Sequence, residues 1–62
     1  MNKENAVAMM MESINADNKQ MCLDMGMSEE EANKKIKGSQ MGLFVMVSNI
    51  YDKLVEANLI VV

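Results

Sequence analysis

The octet Asp24-Met25-Gly26-Met27-Ser28-Glu29-Glu30-Glu31 does more than any other segment to limit the folds open to this chain. Glycine enters the left-handed backbone region at no steric cost, so Gly26 is suited to end a helix, with Met27 folding back toward Cys22. Ser28 follows as an N-cap, and Glu31, three residues on, completes a capping box, with Met27 and Ala32 at the two staple positions. Three acids in a first turn suit the helix dipole, and Glu30–Lys34 and Glu31–Lys35 are spaced for i, i+4 ion pairs in the favourable order. One helix therefore stops near residue 24 and a second starts near residue 29.

Upstream of this break, Val7, Met10, Met11, Ile14, Met21 and Met25 recur at helical spacing. The stripe lapses at Asn15-Ala16-Asp17-Asn18, where Asn and Asp have poor helix propensity, so helix 1 is continuous, kinked or split there. Downstream, Gly38-Ser39 marks a second break, with Ser39 as a cap. Gly38 and Gly42 are four apart; Gly38 reads as part of that cap and Gly42 as incidental. Leu43, Val47, Ile50, Leu54, Ala57 and Val61 then alternate four and three residues apart, a heptad seam flanked by Phe44 and Tyr51 on one side and Met46 and Ile60 on the other. That arc is wider than one neighbouring helix needs. Val45, Val47 and Val55 would suit a strand over 43–47, but the seam runs past them and favours a helix.

The fold expected is all-α: a single domain over residues 1–62, forming a small three-helix bundle or helical hairpin with helices at about 4–24, 29–37 and 40–59. A chain of 62 residues buries about 60% of its unfolded surface and gains roughly 3–5 kcal/mol from its own core. Small domains offset this with disulfides, metals or self-association. One Cys and no His leave the third route. A homo-oligomer, most simply a dimer, is expected on the seam Leu43, Val47, Ile50, Leu54, Ala57 and Val61. The ending Leu59-Ile60-Val61-Val62 is too apolar to be left in water and is expected to be covered, as helix or as strand.

Composition narrows the function. There is no His, Arg, Pro or Trp, and the single Cys22 has no imidazole to activate it, so it reads as a small hydrophobe on an apolar helix face. The carboxylate cluster Glu29-Glu30-Glu31 splays around a capped first turn and reads as solvated. Phosphate loops, metal spacings and catalytic triads are absent from the pattern, so no enzyme, cofactor or metal is expected. The net charge is −3, the pI is near 4.6 and every cation is a Lys, with none of the basic patches that nucleic-acid binders use. Cys22, Gly26, Met27, Ser28 and Ala32 do fall where a helix-turn-helix wants its small, turn, apolar, cap and buried residues. The would-be recognition helix nevertheless opens with three acids facing the phosphates. The apolar run Ala6 to Met11 is short for a signal peptide, and Leu43 to Val47 is far below the ~20 residues that span a bilayer. A cytoplasmic protein away from membranes is expected, with Cys22 suited to a reducing compartment.

Nine methionines remain to be placed. A single Met is most economically a filler of an irregular core, but Met-rich surfaces also repack against partners of different shape. Met9-Met10-Met11 spans about 200° of a helix and cannot all face one core. The loop Met25-Gly26-Met27, with Ala32 and Ile36 after it and Met46, Val47, Ile50 and Tyr51 in the third helix, resembles ubiquitin-associated domains over about half the chain. Where that family has an aromatic after Met-Gly, this chain has Met27. The resemblance implies a three-helix bundle that binds another protein through the Met-Gly-Met loop. Met9, Met10, Met11, Met25, Gly26 and Met27 are therefore the candidate partner-binding residues. The function expected is binding and modulation of another protein, as an inhibitor or adaptor. Seven Asn and six Lys without Arg or Pro suit an AT-rich coding genome and a phage or mobile-element regulator. The rival readings are a small dimeric helix-turn-helix DNA-binding regulator and a purely self-assembling structural module.

Overall fold

The computed structural model describes residues 2–61. Three helices account for most of them: α1 over Lys3–Asp24, α2 over Glu29–Gly38 and α3 over Gln40–Glu56. The fold is the expected all-α arrangement of three helices packing against one another.

Local chemistry explains each boundary. Asn2 caps α1 by accepting a 2.8 Å bond from the Asn5 N–H through its side-chain oxygen. At the other end Gly26 sits at φ +97°, its N–H donating to the Leu23 carbonyl while the Met27 N–H donates to the Cys22 carbonyl, both at 3.0 Å. These two bonds form a Schellman motif, which satisfies carbonyls the helix end would otherwise leave open. Ser28 then accepts from the Glu31 N–H at 3.1 Å and donates its hydroxyl to the Glu31 carboxylate at 3.1 Å. The box closes through the Ser28 hydroxyl rather than its backbone. Glu31 is therefore occupied with the cap. Among the described residues the ion pairs are Lys3–Asp52 at 2.9 Å and Lys19–Glu29 at 3.1 Å, not the expected Glu30–Lys34 and Glu31–Lys35 pairs.

Ser39 is the joint between α2 and α3. Its N–H and hydroxyl both donate to the Ile36 carbonyl, so it closes α2 and makes no side-chain cap on α3. The pair Gly38 and Gly42 brings no close approach, since nothing lies within 4 Å of where either Cβ would stand. α3 ends at Glu56, three residues before the expected limit of about 59, because Asn58 adopts φ 59°. The Asn58 N–H donates to the Val55 carbonyl at 3.0 Å and the Leu59 N–H to the Leu54 carbonyl at 2.9 Å, a second Schellman motif built on Asn instead of Gly.

α1 is continuous through Asn15-Ala16-Asp17-Asn18. Asn15 does not break it; its carboxamide exchanges two hydrogen bonds with that of Gln40, at 2.9 and 3.0 Å, tying the middle of α1 to the start of α3. Lys3 at one end of α1 pairs with Asp52 near the end of α3, so the two helices run antiparallel.

The core lies between them. Val7, Val47 and Tyr51 are buried together, and Ala6, Met10, Met11, Ile14, Leu43, Val55 and Ile60 pack around them. α2 joins through Ala32, which is fully buried, while its other residues are exposed or half-buried. The molecule is long for its size, 41 × 18 × 16 Å with a radius of gyration of 13.7 Å, against about 11 Å for a compact chain of this length.

Candidate interaction surfaces

The core-facing stripe of α3 is Leu43, Val47, Tyr51 and Val55, four residues apart throughout, with Val47 and Tyr51 buried and the outer two half-buried. The alternating seam read from the sequence is therefore distributed differently around the molecule. Val47 is 1% exposed inside the chain's own core, Leu43 and Leu54 are half-buried, and Ile50, Ala57 and Val61 face solvent. Tyr51, placed at the flank by the sequence pattern, lies at the centre. The ending is only partly covered: Ile60 packs on the core, while Leu59 and Val61 are exposed and Val62 lies outside the described residues.

Beside the core, α1 and α3 enclose an apolar groove of about 440 Å³, lined by Met9, Met10, Ser13, Ile14, Val47 and Ile50. Val47 contributes only to its base, being buried, whereas Met9 at 55% and Ile50 at 48% exposure stand open to water. Helical spacing puts Met46, also exposed, one turn before Ile50 on the same face. Two residue sets that the sequence kept apart, the triple methionine and the α3 seam, thus meet in one groove. Met10 and Met11 both pack against the core, and Met9 is the member of the triplet that does not.

The other candidates lie elsewhere. Met25 is exposed at the α1–α2 turn, Gly26 forms its left-handed corner and Met27 is half-buried. Sixteen residues of helical rise separate Met9 from Met25, about 24 Å, so they form two surfaces rather than one. A second cavity, of about 350 Å³, opens between α1 and α2 where Met21, Cys22 and Met25 face Lys35, Ile36 and Ser39. Cys22 is half-exposed there rather than buried, as its apolar helix face had implied. Nothing local in the sequence signals Ser13 or Lys35 as lining residues; only the crossing of two helices brings them in.

None of the eight described methionines is fully buried, and Met9, Met21, Met25, Met41 and Met46 are exposed. Core filling therefore accounts for only part of the methionine content. Glu29, Glu30 and Glu31 are exposed, as are Lys34, Lys35 and Lys37 on the same helix. Among the described residues no group of three or more His, Cys, Asp or Glu side chains is gathered to hold a metal ion, and no helix is long and apolar enough to cross a membrane.

Comparison with protein-family models, curated proteins and solved structures finds no match for this chain. The likeness to ubiquitin-associated domains thus rests on its own few residues. Of the four third-helix positions it uses, Val47 and Tyr51 are buried and Met46 and Ile50 are exposed.

Proposed function

We propose that this chain is a non-enzymatic interaction protein that binds another protein and modulates it, as an inhibitor or adaptor, while associating with copies of itself. The observation that carries this reading is the placement of methionine: five exposed side chains on a small acidic surface, three of them along α1 and its turn. A flexible, polarizable side chain held in water is suited to moulding itself to a partner. Met21 and Met25 line the α1–α2 cavity together with Lys35 and offer such a surface there. The composition supports a regulator carried by a phage or mobile element and working in the cytoplasm.

The test is partner capture from host lysate with the wild-type chain and with Met25→Glu and Met21→Glu. Both substitutions lie at exposed positions and are expected to keep the helix content while removing the captured protein. Capture undiminished in both would reject the methionine surface. A mobility shift with DNA that weakens steeply with salt would favour the DNA-binding alternative.

A further inference from the structure

We infer that the groove between α1 and α3 is the docking site for a second copy of this chain, the two copies packing groove to groove about a two-fold axis. The inference rests on the self-association in the reading above and names the surface that performs it.

Three observations lead there. The first is area. A monomeric protein of 6.9 kDa exposes about 4,000 Å² when folded compactly, from the usual mass scaling. This chain exposes 4921 Å². The excess, about 900 Å², is spread over an elongated molecule and not confined to the groove; it is of the size, roughly 800 Å², that each partner contributes to a stable interface, so a dimer would extend beyond the groove's rim. The second is charge. Charged residues make up 24% of the chain, yet among the described residues none lines this groove, where Ser13 supplies the one polar side chain. A two-fold contact sets each patch against its own image, so any charge near the axis meets its like; an uncharged patch on a chain of net charge −3 escapes that repulsion. The third is shape. Met9 and Ile50 stand half-exposed at the walls of a cavity whose base is apolar. The same chain therefore carries both an apolar recess and the apolar side chains that would fill one.

The experiment uses the 62-residue chain in two steps. Sedimentation across a concentration series reads the mass, and isotope-filtered methyl NOEs on mixed labelled and unlabelled wild-type chains read the contact. The expected result is a dimer with intermolecular NOEs from the Ile50, Met9 and Met10 methyls. Ile50→Lys should then weaken the dimer at least ~100-fold, as for a central interface residue, while Met25→Glu leaves it intact. A wild-type chain that stays monomeric to millimolar concentration overturns the self-association and this surface together. A dimer whose intermolecular NOEs omit those three methyls overturns the surface and leaves the self-association standing.

Discussion

Tyr51 is the largest side chain in a core of three, enclosed with Val7 and Val47 and approached from outside by the Lys3 ammonium, 6.0 Å from its ring centroid. Truncating a buried aromatic costs about 3–5 kcal/mol, which equals what a core of this size supplies. Tyr51→Ala should therefore abolish the helical signal in far-UV circular dichroism at 25 °C. Ile50→Ser, one residue away on the solvent side, should retain it. Asn15 and Gln40 form the other residue pair that sets the packing. A double-mutant cycle through Asn15→Ala and Gln40→Ala should return a coupling of about 0.5–1.5 kcal/mol by denaturant unfolding, and no coupling would mean the amide pair is incidental. Neither pairing was legible in the sequence. Ile50 and Tyr51 point 100° apart on an arc apolar enough to admit either, and only the position of α1 decides between them. Asn15 and Gln40 are partners across 25 residues, and no local pattern marks such a pair.

The elements themselves were almost wholly legible, because their limits are set by contacts within a few residues. The Gly26 corner and the Ser28–Glu31 cap depend on bonds that span five residues or fewer. Gly26→Ala tests the first: no atom would meet the new Cβ, so its cost, about 1–2 kcal/mol, is the left-handed backbone alone. Ser28→Ala tests the second and should cost about 1 kcal/mol, read from the urea midpoint at unchanged slope. The end of α3 was placed too late because Asn58 takes the role usually given to glycine, and the apolar pattern runs on through Leu59 and Ile60. The candidate surfaces were legible as residues and not as places. Met9, Met10, Val47 and Ile50 were each singled out, but their meeting in one groove follows from α3 lying antiparallel to α1.

At the scale of the molecule, the enclosed cluster lies at the α1–α3 contact, and charge adds little to it. The two ion pairs among the described residues are exposed, Lys3–Asp52 and Lys19–Glu29 each worth about 0–1 kcal/mol and screened by salt. Raising sodium chloride from low to molar concentration should accordingly change the unfolding free energy by less than about 2 kcal/mol; a larger loss would point to an electrostatic fold. The placement of the core also governs how the chain can come apart. α1 and α2 are joined by a tight turn and could meet early, with two good helix ends already in place. Yet the residue α2 buries completely is a single alanine, Ala32, and the enclosed cluster forms only when α3 arrives from some forty positions down the chain. The easy step is weakly stabilising, and the strongly stabilising step is the slow one. All-or-none folding is the expected consequence, and a protease that nicks the Ser39 joint would remove the closing bonds of α2 and leave two fragments, one with the Gly26 turn and the Ser28 cap and the other with the Asn58 end, neither of them folded.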